Sequence, residues 1–258
     1  MEAEIVGLIP AAGEAKRVSP LPASKELFPV GFREIRVDGH TQLRPKVISQ
    51  YLIDSMFLAG AAKIWVVLGR QKADIMHYYG DGMSFGGPMA YLMMDHLRGM
   101  PCTLDQAYHW IGKNSTVLFG MPDTIFAPSD AFSRLLEDHR STGSAVTLGI
   151  FPTNRPEKLC PVELDPTGRV IGMTDKPRRP QFQNTWGCAT WSECFTDFMH
   201  RHLCGQTGSN GEIVLADIFR AAIAEGLSVR GLFFESGEYV DIGTPDDLAL
   251  AVRRFSRR

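Results

Sequence analysis

The sequence predicts an α/β fold, a mixed and mostly parallel sheet with helices on both faces. Three observations carry that expectation. Short runs rich in Val, Ile and Leu, such as Ile64-Trp65-Val66-Val67-Leu68, alternate along the chain with stretches whose apolar residues recur at helical spacing. The runs are apolar at nearly every position, as strands buried on both faces require. Finally, 258 residues with 44% hydrophobic and 22% charged content suffice for one large buried core.

Taken in order, Ile5 to Pro10 reads as a buried strand running into the loop Ala11-Ala12-Gly13. Val47 to Leu58 carries helical periodicity and Ile64 to Leu68 reads as the next strand, which completes a βαβ unit. Leu104 to Ile111 follows as a helix, Ser115 to Gly120 as a strand, Phe132 to His139 as a helix and Ala145 to Ile150 as a strand. Between Val162 and Trp191 the turn signals Asp165-Pro166-Thr167-Gly168 and Pro177-Arg178-Arg179-Pro180 separate short strands, so a locally antiparallel or mixed region is expected. Helices are expected again over Phe195 to Leu203 and Ile213 to Ala224, strands over Val229 to Phe234 and near Glu238-Tyr239-Val240, and a last helix over Pro245 to Phe255. Neither a repeat nor a linker divides the chain, which reads as one domain over 1–258.

Bulk properties exclude several classes of function. With 27 basic and 29 acidic residues the formal net charge is −2, and the short run at Arg253, Arg254, Arg257 and Arg258 reads as a solvated tail; nucleic acid, which is bound through clustered Lys and Arg, is not an expected partner. Cys102, Cys160, Cys188, Cys194 and Cys204 show no CxxC spacing and are odd in number, which suits reduced thiols in a cytoplasmic protein. Nothing near the N-terminus resembles a signal peptide, and no stretch approaches the ~18 apolar residues of a membrane span, so no membrane partner is expected. The histidines lack a metal pattern such as HExxH and read as surface or packing residues.

Chemistry concentrates first in Ala11-Ala12-Gly13-Glu14-Ala15-Lys16-Arg17-Val18-Ser19-Pro20 and the following Ser24-Lys25-Glu26-Leu27-Phe28-Pro29-Val30. Backbone N–H groups of a loop after a strand can cradle phosphate oxygens, while Arg17 and Lys25 supply positive charge for a polyphosphate. The glycines of a Walker A loop or a GxGxxG fingerprint are absent, which argues against a nicotinamide-dependent oxidoreductase. Asp123 and Asp241 both follow strand-like runs, and carboxylates at strand ends suit a hard cation such as Mg²⁺ held together with substrate phosphates.

These residues resemble the signature of the sugar-1-phosphate nucleotidylyltransferases, the glucose-1-phosphate thymidylyl- and uridylyltransferases in particular. Ala-Ala-Gly-x-x-x-Arg-Val-x-Pro with Ser-Lys-Glu-Leu-Phe-Pro-Val is similar to the family's first loop, Tyr79-Gly80-Asp81-Gly82 to a turn before the base pocket, and Leu104-Asp105-Gln106-Ala107 to the segment whose glutamine reads a pyrimidine. The run from Val117 to Phe126 resembles the strand ending in a metal-binding aspartate, Thr174-Asp175-Lys176-Pro177 the motif whose lysine holds the sugar phosphate, and Asp241-Ile242-Gly243-Thr244-Pro245 the motif with the second metal carboxylate.

The resemblance implies a Rossmann-like nucleotide-diphospho-sugar transferase fold with a sugar-binding subregion over about 149–205, and the reaction of an NTP with a sugar 1-phosphate to give an NDP-sugar and pyrophosphate. It implies Arg17, Lys25 and Lys176 as catalytic residues, Ala11, Ala12, Gly13 and Gln106 at the nucleotide, Asp175 and Gly187 at the sugar, and Asp123 and Asp241 at Mg²⁺. A pyrimidine base, dTTP or UTP, is favoured because Gln106 offers one donor and one acceptor to an imide edge; glucose 1-phosphate is the favoured sugar. Trp186 and Trp191, on either side of Gly187, read as a sugar wall or as core. Glu14-Ala15-Lys16 stands where the family carries small residues, which keeps a non-catalytic nucleotide or sugar-nucleotide sensor as the alternative, and the oligomeric state, homo-oligomers included, stays open.

Overall fold

The computed structural model describes residues 3–95, 98–205 and 212–255. Its elements begin with β1 (Glu4–Ala11), β2 (Pro29–Val37), β3 (His40–Val47), α1 (Ile48–Leu58), β4 (Lys63–Gly69), α2 (Ala73–Tyr79) and β5 (Met89–Met94). They continue with α3 (Met100–Asp105), β6 (Ser115–Gly120), β7 (Thr124–Ala127), α4 (Ala131–Thr142), β8 (Val146–Pro152), β9 (Val162–Leu164) and β10 (Val170–Met173). The last are β11 (Asn184–Ser192), α5 (Glu193–Gly205), α6 (Leu215–Ala224), β12 (Val229–Phe233), β13 (Glu238–Asp241) and α7 (Pro245–Phe255).

Seven strands form the main sheet in the order β12-β8-β11-β6-β1-β4-β5. Neighbours run parallel throughout except at β11, which is antiparallel to both β6 and β8. The expected mixed, mostly parallel sheet is therefore present. Because successive strand residues face opposite sides, the central strands divide their side chains between two cores. Val6, Leu8, Val117 and Phe119 pack with residues of α3, α5 and α6; Ile9, Ala11, Leu118 and Leu68 pack with residues of α1 and α4. Gly7 permits the close fit of β1, since a Cβ there would lie 2.8 Å from the Ile64 side chain and 2.9 Å from the Met56 sulfur. Trp186 and Trp191 are buried in the first core, Trp191 completely. Their reading as core holds.

A third cluster, including Val30, Ile48, Ile125, Val240, Ile242 and Phe255, joins β2, α1, β7, β13 and α7. It lies beneath the two-stranded ribbon β7–β13, which brings residues 124–127 against 238–241 outside the main sheet.

The structure differs from expectation at some elements. Helix α3 covers Met100–Asp105 rather than 104–111, because Gly99 at φ +109° precedes it and Pro101, in its first turn, is pre-organised for a helix start. Residues 107–110 continue as a turn, with Trp110 N–H donating to the Ala107 carbonyl at 2.9 Å. Helix α4 extends beyond His139 to Thr142, where Gly143 adopts the left-handed conformation that closes a helix. The hairpin β2–β3, helix α2 and strand β7 were not anticipated. All five cysteines are free thiols, and among the described residues no helix is long and apolar enough to cross a membrane.

Candidate active site

The carboxyl ends of β1 and β4 open into a cleft of about 1370 Å³, walled by the loop from Ala12 to Lys25 and the segment Gly69 to Asp74. The two walls touch: a Cβ at Gly69 would sit 2.7 Å from the Ala12 carbonyl oxygen, so only glycine allows that approach. Ala11 is the buried last residue of β1, Ala12 is buried at the wall, and Gly13 faces open space. Ala15 takes φ +54° and its carbonyl accepts from the N–H groups of Val18 and Ser19, turning the loop back. At its exposed tip Lys16 Nζ pairs with Glu14 Oε2 at 2.5 Å, so each of the two charges that depart from the family loop neutralises the other.

Opposite that loop, β6 ends and the chain turns through Asp123 into β7. The turn is held by Thr124, whose N–H and hydroxyl both donate to the Met121 carbonyl at 3.2 and 2.9 Å. Antiparallel pairing sets Thr124 opposite Asp241, and Ile242 N–H donates to the Asp123 carbonyl at 3.2 Å. Two aspartates 118 positions apart in sequence are thus neighbours.

Lys25 Nζ lies 2.5 Å from Asp123 Oδ2, with both side chains largely buried. Burial disfavours the Lys25 ammonium, but the charge and hydrogen bond of Asp123, with Glu26 and Asp241, outweigh it and raise its pKa. The Asp241 carboxyl is pushed up to about 6, first by burial and then by the Asp123 charge, against the opposing pull of Lys25 and Arg17. Asp241 Oδ1 is buried and has no hydrogen-bond partner among the described residues. Gly243 keeps this space open, since a Cβ there would lie 3.0 Å from Asp241 Oδ2 and 3.4 Å from Arg17 Nη2. Asp123 and Asp241 are the pair that could hold a divalent cation: their oxygens suit a hard ion, and an orphaned buried oxygen is what a missing ligand leaves behind.

Arg17, Lys25, Asp123 and Asp241 are therefore brought together: Arg17, Lys25 and Gly243 line the cleft, and the two aspartates stand behind that wall, Asp123 on Lys25 and Asp241 beside Gly243. Other residues expected at the site are placed differently. Gln106 is exposed at the C-terminal end of α3, outside the cleft wall; with the helix beginning at Met100, it is Asp95 and Gly99, before α3, that reach the wall. Lys176 is exposed, lies 3.5 Å from Asp175 and takes φ +47°, its N–H donating to the Leu159 carbonyl at 2.7 Å. Neither Asp175 nor Lys176 lines the cleft. At Gly187, where β11 shifts register, a Cβ would meet the Tyr239 ring at 2.5 Å, so that direction is filled by an aromatic side chain two residues before Asp241.

Sequence reasoning missed the segment between β4 and α2. Arg70 pairs with Asp95 across the cleft mouth at 2.6 and 3.0 Å, and Lys72 reaches Glu26 at 2.7 Å. The available signal was the polar run Arg70-Gln71-Lys72 directly after a buried strand.

Comparison with known proteins identifies the family. The profile of the nucleotidyl transferase family matches residues 6–257. A glucose-1-phosphate thymidylyltransferase of Neisseria meningitidis serogroup A is 25% identical over 94% of this chain and 79% of its own length. A UTP–glucose-1-phosphate uridylyltransferase of Haloferax volcanii is 25% identical over 95% of this chain and 94% of its own. The chain spans 63% and 65% of the length of two Streptomyces thymidylyltransferases that it also matches. A crystal structure of a Bacillus anthracis protein assigned as a glucose-1-phosphate thymidylyltransferase, in complex with sucrose, superposes with a TM-score of 0.80 at 18% identity, covering 97% of this chain and 94% of the other. The chain belongs to the nucleotidyl transferase family, and its relatives there are sugar-1-phosphate nucleotidylyltransferases.

Proposed function

We propose that this protein is a sugar-1-phosphate nucleotidylyltransferase that converts an NTP, with dTTP or UTP favoured, and a sugar 1-phosphate, with glucose 1-phosphate favoured, to an NDP-sugar and pyrophosphate. The observation that carries the reading is the cluster of Lys25, Arg17, Asp123 and Asp241 beside the loop after β1 that walls the cleft. The names of the relatives support the same reaction class.

In this reaction a phosphate oxygen of the sugar phosphate bonds to the α-phosphorus while the bond from that phosphorus to the β-phosphate bridging oxygen breaks. No covalent enzyme intermediate is required, so the residues contribute alignment and charge. The N–H groups of Ala12 and Gly13 hold phosphate oxygens, and Arg17 neutralises the pyrophosphate as it departs. Lys25 offsets charge on the triphosphate, with Asp123 keeping it protonated and aimed. The motif resemblance alone supports Lys176 at the sugar phosphate and Asp175 and Gly187 on the sugar side, since none of the three lines the cleft. Asp123 and Asp241 would hold Mg²⁺, which would supply Lewis-acid stabilisation of phosphate charge when bound.

The test is to incubate the protein with Mg²⁺, glucose 1-phosphate and dTTP or UTP and to identify the product by anion-exchange chromatography and mass spectrometry. An NDP-sugar formed in step with pyrophosphate supports the reading; nucleotide binding with no product from any sugar phosphate favours a sensor. Gln106→Ala decides base reading separately, since an unchanged KM for the nucleotide removes Gln106 from that role.

A further inference from the structure

Both neighbours of Lys25 are tied to a segment to which the proposed chemistry gives no role. Ser24 donates to the two carboxylate oxygens of Asp74, from its backbone N–H to Oδ2 and from its hydroxyl to Oδ1, each at 2.7 Å. Glu26, 2% exposed, receives Lys72 Nζ on Oε2 at 2.7 Å, and the Lys72 side chain is buried with it. Lys72 precedes α2 and Asp74 stands in its first turn, so one short stretch grips the chain on both sides of Lys25.

The grip is anchored in turn. The Asp74 carboxylate also accepts from Ile75 N–H at 3.0 Å, and the Glu26 carbonyl accepts from the Ser49 hydroxyl at 2.6 Å, which pairs with the Tyr79 hydroxyl at 2.6 Å. Helices α1 and α2 are thereby joined to the turn that carries Lys25. A buried ion pair such as Lys72–Glu26 is a weak source of stability, because desolvation cancels most of its attraction. What it does supply is a defined geometry, and a lysine side chain has four rotatable bonds to restrain.

From this arrangement we infer that Lys72 and Asp74 are positioning residues for Lys25: they hold the turn from Ser24 to Glu26 so that Lys25 Nζ rests on Asp123 instead of ranging through the cleft. The catalytic meaning of this rests on the nucleotidyl transfer proposed above; the restraint itself does not. Both residues also line the cleft, so the segment that positions Lys25 touches whatever fills it.

The test compares Asp74→Ala, Asp74→Asn and Ser24→Ala with the unaltered protein in two readouts, after circular dichroism has shown each to be folded. The first is the rate at which N-acetoxysuccinimide acetylates Lys25, followed by peptide mass spectrometry. The second is kcat and KM for pyrophosphate release. A restraint predicts that Asp74→Ala raises Lys25 acetylation about tenfold and lowers kcat about ten- to hundredfold, with KM moving by less than about threefold, as small misplacements of a reacting group do. Ser24→Ala, which removes only the hydroxyl bond, and Asp74→Asn, which keeps an acceptor oxygen, should fall between. Should Asp74→Ala lower the melting temperature while acetylation and kcat stay at their original values, its role is structural and the inference is overturned. If no substrate pair is turned over by the unaltered protein, the proposed reaction fails, and acetylation alone still decides whether Lys25 is restrained.

Discussion

Gly187→Ala places one methyl group where the structure has no room for it. The new Cβ would lie 2.5 and 2.7 Å from Cδ2 and Cε2 of Tyr239 and 3.1 Å from Cδ2 of Phe151, so the Tyr239 ring must retreat by about 1 Å to reach ordinary contact. Gly187 does not occupy the left-handed region, so the cost is steric rather than conformational. Overpacking of this size costs about 2 kcal/mol, within the usual range of about 1–3. For a chain of this length that lowers Tm by about 4–8 °C. The functional consequence follows from pairing: Tyr239 sits opposite Phe126 on the ribbon that sets Asp241 opposite Thr124, next to Asp123. Displacing β13 displaces Asp241, and an error near 1 Å in a reacting group can cost about a hundredfold in kcat. Differential scanning calorimetry and steady-state kinetics on the same preparation measure both effects. An unchanged Tm together with unchanged kcat would refute the link from β11 through Tyr239 to the carboxylate pair.

Further outcomes follow from other parts of the molecule. His139 is buried against the hydroxyls of Thr147 and Ser144, and burial, aided by the Arg140 charge, lowers its pKa to about 4. Since the unfolded chain takes up this proton below about 6.5, stability is full above that pH and falls as pH drops toward 4, by up to about 3 kcal/mol; urea midpoints for His139→Gln should lose that part of the slope. Lys176→Gly removes a positive charge from a left-handed position that glycine occupies freely, so stability should change by less than about 1 kcal/mol while KM for the sugar phosphate rises. An unaltered KM would exclude Lys176 from phosphate binding. At the start of α7, Thr244 Oγ1 donates to Asp247 Oδ2 at 2.6 Å and accepts from Asp247 N–H at 3.3 Å. Thr244→Ala should therefore lower stability by about 1 kcal/mol in thermal unfolding.

The centre of the main sheet was legible because its strands are buried on both faces and its helices on one, which are the patterns that sequence displays most plainly, whereas the edge strand β5 is half-exposed along most of its length. The hairpin β2–β3 escaped because its strands are exposed or half-exposed along most of their length, so no apolar run marks them. Its turn was nevertheless written in the sequence: Asp38-Gly39 takes φ +50° and +79°, as a tight two-residue hairpin demands. Asp123 and Asp241 could each be singled out from their motifs, but their adjacency depends on the pairing of β7 with β13 across more than a hundred residues, which no local pattern encodes. Likewise Glu26 stood inside a recognised motif without a role until Lys72 was found beside it. Gln106 is a related case, for Gly99 and Pro101 set where α3 begins and so leave Gln106 exposed at the outer end of that helix, a placement that Leu104-Asp105-Gln106-Ala107 does not itself encode.

The measurement that bears most directly on the central claim is pyrophosphate release in the presence of Mg²⁺ from a panel of NTPs, each paired with glucose 1-phosphate and other sugar phosphates, by the unaltered protein and Asp123→Asn side by side. The account predicts release with at least one pair, greatest with dTTP or UTP, and its loss in Asp123→Asn while the fold is retained. Turnover by Asp123→Asn equal to that of the unaltered protein, or no release from any pair, would contradict it.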